Sequence, residues 1–186
     1  MRVNVQIDDK ALLKAIAELG GRKGRAAINA ATNQAITRVR VTTTREITKS
    51  YAIRSRDVNK TISVDRSTVS TLAATMRVKT VTIPLQEFGN PKKTRRGVQV
   101  TIRRGAGRKL YPRSFQATSN RGGRQVFWRT KDGNKLVPRG PIKLLLGPAV
   151  SQIAGSPTFL AKLRPVATQR FNEVLGQQFR RFGKQL

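Results

Sequence analysis

The stretch Ser156-Pro-Thr-Phe-Leu-Ala-Lys-Leu-Arg-Pro-Val-Ala-Thr-Gln-Arg-Phe-Asn-Glu-Val-Leu-Gly-Gln-Gln-Phe-Arg-Arg-Phe182 decides the architecture. Phe159, Leu163, Val166, Phe171, Val174, Leu175, Phe179 and Phe182 recur at helical spacing and predict one apolar stripe. Ser156 suits the cap and Pro157 the first helical position, while Pro165 is a point where the helix would kink. The stripe holds four of the chain's seven Phe. A second helix is predicted over residues 25–49, with Ile28, Ala31, Ala35, Ile36, Val39 and Ile47 on one face. Its Ala-rich beginning favours helix. The β-branched run Val39-Arg-Val-Thr-Thr-Thr44 opposes it and predicts a distorted far end. At ~1.5 Å per residue each helix is about 40 Å long, against a radius of gyration of about 16 Å for a compact chain of this length. Such helices cover the whole body or project onto a neighbour.

Outward from the last helix, Pro141-Ile-Lys-Leu-Leu-Leu-Gly-Pro-Ala-Val150 is the most apolar run. Gln125–Arg129, the turn Lys131-Asp-Gly-Asn-Lys135 and Leu136-Val137 read as a hairpin, Asp-Gly being a turn signal. Strands are also predicted at Gly97–Ile102, Thr71–Val81 and Thr61–Val64. Ile83–Gly89 reads as a turn closing onto the core, and Ser55–Val58 as a short helix. Beyond Arg103 the pattern weakens, and Lys109–Arg124 offers few apolar anchors. Gly21–Arg25 reads as a flexible basic joint. Before it, Asp8 or Asp9 caps a helix carrying Leu12, Leu13, Ile16 and Leu19 and stopped by Gly20-Gly21, and Arg2–Ile7 alternates as a strand. The fold class is α+β: a mostly antiparallel sheet flanked by a long N-terminal helix and a long C-terminal helix. The expectation is a single domain over residues 1–186, with a basic, partly mobile β/loop region at 90–140.

The 186 residues hold 38 Lys plus Arg against 9 Asp plus Glu, a net charge of +29. Cys and His are both absent, which excludes disulfide scaffolds, thiol chemistry, thiolate or imidazole metal sites and the usual general base near neutral pH. The first residues lack the apolar core of a secretory signal, so none is expected, and no apolar run approaches membrane-spanning length. Residues 90–145 carry sixteen cations and one acid, Asp132, about half of the net charge. A surplus of this size needs a polyanion or an acidic protein surface to offset self-repulsion, and its contact should centre on that middle third.

Catalysis would have to come from the carboxylates. Asp8, Asp9 and Asp57 stand at predicted helix starts, where negative charge favours the helix dipole. Asp65 and Glu87 lie at strand or turn edges without a second acid nearby in sequence, and Glu173 is placed to pair with Arg170. Gly105-Ala-Gly-Arg-Lys109 and Gly122-Gly-Arg124 lack the ending and setting of a nucleotide-binding loop. No catalytic, cofactor or metal residue is assigned. The candidate contacts to nucleic acid or an acidic partner are Lys92, Lys93, Arg95, Arg96, Arg103, Arg104, Arg108, Lys109, Arg113, Arg121 and Arg124, a density that phosphate neutralisation favours. Tyr111, Phe115, Phe127 and Trp128 are interleaved with them and have the chemistry to stack on bases. A small sheet needs its aromatic residues, however, and Trp128 is expected in the core.

The order of segments is similar to that of the minor tail protein Z family of tailed phages and prophages. An Ala-rich helix (Ala26-Ala-Ile-Asn-Ala-Ala31) leads to Tyr51-Ala-Ile-Arg-Ser-Arg-Asp-Val-Asn-Lys-Thr-Ile62, then Ile83-Pro-Leu-Gln-Glu-Phe-Gly89. A basic β region and Phe127-Trp-Arg129 follow, with Pro141–Val150 before the last helix. The resemblance covers roughly residues 25–180 and rests on structural rather than catalytic motifs. It implies a virion component at the head-proximal end of the tail, completing the tail and joining it to the head around the DNA passage. It also implies other tail and neck proteins as partners, a homo-oligomeric ring (a hexamer is the expectation), non-specific contact with duplex DNA, no membrane, no cofactor and no enzymatic activity. Its location would be the virion tail, and the host cytoplasm during assembly. Composition alone admits a ribosomal or nucleoid-type cationic nucleic-acid-binding protein as the alternative, and a metal-dependent nuclease as a weaker third.

Overall fold

The computed structural model of the chain describes residues 2–4, 21–119, 122–129, 131–132, 135–136 and 142–183. The expected helix of Leu12, Leu13, Ile16 and Leu19, with its Asp8 or Asp9 cap, lies outside them. In chain order the elements are β1 (Arg2–Asn4), α1 (Gly21–Ser50), α2 (Ser55–Thr61), β2 (Ile62–Asp65), β3 (Thr75–Val78), β4 (Thr82–Pro84) and a 3-10 turn (Leu85–Glu87). Then come β5 (Lys92–Thr94), β6 (Gly97–Val100), β7 (Lys109–Pro112), β8 (Ser114–Thr118), β9 (Arg124–Arg129), β10 (Lys131–Asp132) and β11 (Lys135–Leu136). The chain continues through β12 (Ile142–Leu144), β13 (Leu146–Ala149), α3 (Val150–Ala154) and α4 (Pro157–Gly183). The class is α+β.

The first long helix starts earlier than the sequence implies, because the joint Gly21–Arg25 is already helical. Arg22, Lys23 and Arg25 are good helix formers, and Gly24 is buried by packing. Its β-branched end is not broken either. Thr37 Oγ1 donates to the Asn33 carbonyl (2.7 Å), Thr44 Oγ1 to that of Arg40 (3.2 Å) and Thr48 Oγ1 to that of Thr44 (3.0 Å). These bonds satisfy the hydroxyls on the helix itself, so threonine does not pull the backbone away. α4 is likewise assigned as helix straight through Pro165. Ser156 sits at its cap position, with the hydroxyl donating to the Ile153 carbonyl at 3.2 Å.

The two long helices run antiparallel. The start of α1 (Ala27, Ile28, Ala31, Ala35) packs on the later turns of α4 (Phe171, Val174, Leu175), forming a cluster separate from the main core. Further along α1, Ile36, Val39 and Ile47 join Leu163 and Ala167 of α4 in that main core. Phe159 and Phe179 are partly buried, so the α4 stripe is a packed face over the described part of its length.

The sheet is divided into small antiparallel pieces: β1-β3-β2, β13-β4, β5-β6-β7, β12-β9-β8 and the ribbon β10-β11. Three strand expectations need correction. The run 71–81 contributes only four strand residues, Thr75–Val78. Lys109–Arg124, expected to lack anchors, carries β7 and β8, held by Ser114: its buried hydroxyl donates to the Tyr111 carbonyl (2.6 Å) and accepts from Val98 N–H (3.0 Å). Gln125–Arg129 pairs with β8 and β12, whereas the Asp-Gly turn joins only β10 to β11. Trp128 is exposed, not core. It shares a face with the fully buried Val126, two residues earlier, but stands one step past the edge of the core.

Three of the segments that carry the family resemblance, those containing Ile53, Ile83–Gly89 and Pro141–Val150, come together near Phe88, while the Ala-rich start of α1 packs in the separate α1–α4 cluster. β4 pairs with β13, and the Leu85 N–H donates to the Leu145 carbonyl at 2.9 Å. Ile53 bridges to Phe88, and Leu145 N–H reaches the Val126 carbonyl at 2.9 Å. Gly147 is required here, because a Cβ at that position would stand 2.5 Å from Cε2 of Phe88.

Candidate functional site

The candidate cations occupy strands and turns of the middle third, and the fold separates them into two regions. Lys92 and Lys93 lie on β5, an edge strand, and Arg95-Arg96 forms the turn into β6. Arg113 joins them, its N–H donating to the Arg96 carbonyl at 3.0 Å. All five are exposed. Arg103 and Arg104 stand at the other end of β6. Seven residues of near-extended chain from Arg96 to Arg103 span up to about 23 Å at ~3.3 Å each. Arg108 and Lys109 lead into β7 and Arg124 opens β9, all exposed, while Arg121 lies outside the described residues.

The second region is built on the end of α1. Arg104 N–H donates to the Ser50 carbonyl (3.0 Å) and its Nε to that of Thr48 (2.8 Å). A cation there satisfies carbonyls that the last helical turn leaves open and complements the negative end of the helix dipole. The Arg103 guanidinium lies 5.7 Å from the Tyr51 ring centre, within cation–π range. Arg104 also lines a concavity of about 900 Å³ with Arg45, Lys49 and Arg54. Sequence reasoning missed those three, since they lie 50 to 59 residues before Arg104, and only the return of β6 to the end of α1 assembles them.

Phe115, Phe127 and Tyr111 are not an open stacking platform, whereas Trp128 is exposed. Phe115 and Phe127 lean on each other at 6.0 Å, with Arg129 5.4 Å above Phe115. Lys109 Nζ is 5.7 Å from the Tyr111 ring centre, and burial pushes the Tyr111 phenol above its ordinary value of 10.0. Three of the carboxylates are held by nearby cations. Asp57 pairs with Arg56 (3.6 Å) and Lys60 (3.4 Å), Asp65 with Arg77 (2.9 Å) and Glu173 with Arg170 (3.2 Å). Asp57 lies in the first turn of α2 without a side-chain cap bond. Among the described residues no group of three or more acids is placed to hold a metal ion, and no helix is long and apolar enough to cross a membrane.

The fold is two long packed helices with a fragmented antiparallel sheet, and it displays exposed cations in the middle third of the chain. The family model of prophage minor tail protein Z (GPZ) matches residues 10–184, nearly the whole chain, and the chain belongs to that family. It is therefore a phage tail structural protein, located in the virion tail with other tail proteins as partners. That leaves the ribosomal or nucleoid alternative without support. No curated protein and no solved structure matches the chain.

Proposed function

We propose that this protein completes the tail at its head-proximal end and joins it to the head, as a subunit of a homo-oligomeric ring of six copies around the DNA passage. It assembles there from the host cytoplasm and acts by contact rather than catalysis. The eleven candidate cations serve as contacts to duplex phosphate and to acidic neighbours. One observation carries this reading: among the described residues the ion pairs join Asp57, Asp65 and Glu173 to Arg56, Lys60, Arg77 and Arg170, and none of them reaches the β5–β6 turn cations.

The test combines binding and assembly. The free protein should bind duplex DNA without sequence preference and lose affinity steeply with salt. Lys92→Gln, Lys93→Gln, Arg95→Gln and Arg96→Gln together should reduce the slope of log affinity against log salt by up to about 3.6, at ~0.9 per phosphate contact. Arg104 is left intact because it holds the end of α1. An unchanged slope places the turn against protein, and salt-insensitive, sequence-selective binding refutes the electrostatic account. Particles made without the protein should accumulate unjoined heads and tails, and normal joining refutes the head-proximal role.

A further inference from the structure

On one face of the sheet β12-β9-β8 the described residues leave the apolar side chains of β12 exposed. Directly opposed residues of antiparallel strands share a face. Leu144 opposes Phe127, Phe127 opposes Phe115, and Ile142 opposes Arg129. Ile142 is 51% exposed and Leu144 39%, and Leu146 just beyond is 49% exposed. On the other side of the same sheet end, Trp128 is 44% exposed. Isolated exposed apolar residues need no explanation, but a contiguous group at the open edge of a sheet marks an interaction site. β12 is that open edge, being paired on one side only.

Cations stand beside the group: Arg129 opposes Ile142 on the same face and lies over Phe115, and Arg113 precedes β8. An apolar centre with a charged rim is the anatomy of a protein–protein interface. We propose that this face docks a neighbouring tail protein presenting an apolar centre within an acidic rim. The inference rests on the reading of the chain as a tail component with protein neighbours.

Charge selects the occupant. A second copy would bring another +29 and only nine acids. Of those, Asp57, Asp65 and Glu173 are already held by cations of their own chain. Like charge meeting like charge around an apolar contact disfavours pairing, whereas an acidic rim steers docking and fixes its orientation. DNA is a poor fit as well, since aliphatic Ile142 and Leu144 give phosphate no donor, and Phe115 is covered by Arg129.

The experiment places a photo-crosslinking amino acid at Leu144 in assembled particles, with the same group at Arg95 as comparison. The expected adduct from position 144 is a different tail protein, joined through a segment rich in Asp and Glu. An adduct with a second copy, with DNA or with a segment that is not acidic overturns the proposal, as does no adduct while position 95 reacts. Ile142→Ser with Leu144→Ser should leave melting and the salt slope of duplex binding unchanged while incorporation into tails falls roughly ten-fold or more, as for apolar anchors at an interface centre. Incorporation at the parental level overturns the proposal. If heads attach to tails made without the protein, the joining role fails, while the adduct from position 144 still reports on the docking face.

Discussion

Phe171→Ala tests whether the two long helices hold each other. Phe171 is 4% exposed and fills the space left by Ala27, Ala31 and Ala35 on α1, beside Ile28, Val174 and Leu175. Alanines on one helix allow close approach only if a large side chain on the other occupies the gap. Truncating that side chain leaves a cavity whose alanine walls have nothing to collapse with. Phe→Ala in such a setting costs ~3–5 kcal/mol, against a total stability of about 5–15 kcal/mol. At ~2–4 °C per kcal/mol for a chain of this size, the melting temperature should fall by about 6–20 °C. Thermal unfolding followed by far-UV circular dichroism measures this, with Phe171→Leu as a milder comparison. Because this cluster is separate from the main core, amide exchange in residues 27–35 should accelerate before the sheet is affected. A variant that melts and exchanges like the parent refutes the burial of the stripe, and equal losses for Leu and Ala refute the cavity argument.

Gly147→Ala should destabilise by ~1–3 kcal/mol, because the new Cβ would stand 2.5 Å from the fully buried Phe88 ring; an unchanged denaturant midpoint refutes this. Limited trypsin digestion should cut first at Arg95-Arg96 and at the 103–109 turn, both in exposed turns between strands, and first cuts in α1 contradict this order. Alkaline stability should report on Tyr111. Above about pH 10 the unfolded chain loses the phenol proton while the folded chain keeps it, so rising pH favours unfolding. Tyr111→Phe should therefore lose less stability than the parent as pH rises above about 10, and parallel losses show that burial does not hold the proton.

The helices were legible because their apolar residues repeat at the period of the element that buries them. Leu163, Phe171 and Val174 could be placed on one face from spacing alone. β7 and β8 were not, because their anchors are polar: Ser114, a residue with no hydrophobic signal, ties Val98 to Tyr111 from a buried position. Trp128 shows a different failure. It was expected in the core because a small sheet needs its aromatic residues, and it does lie on the side of Val126, but no local pattern tells how far a strand extends beyond the core it covers. The basic site was legible as composition and not as geometry. Arg95-Arg96 and Arg103-Arg104 read as one cluster along the chain, yet β6 holds them apart and brings Arg104 to Arg45, Lys49 and Arg54. The segments around Phe88 were legible as a set, and the structure supplies the reason, since their backbones pair with one another there.

The size of the charge argues that DNA is not its sole counterpart. The longest helix, α1, has 30 residues and extends about 45 Å at ~1.5 Å per residue. A duplex of that length carries about 26 phosphate charges, one per ~1.7 Å. A single copy, at +29, already matches all of them. In the proposed ring of six, each copy would face only about four of those phosphates. The rest of its surplus would then press on like-charged neighbours, which opposes closure of the ring unless other anions stand between or beside the copies. Small counterions screen such a field but give it no direction. Acidic protein surfaces do both, and in the proposed docking the cations Arg113 and Arg129 beside the exposed apolar residues of β12 would give one of them a place to bind. On that proposal, the charge that would draw the subunit to DNA would also select which tail protein can lie beside it.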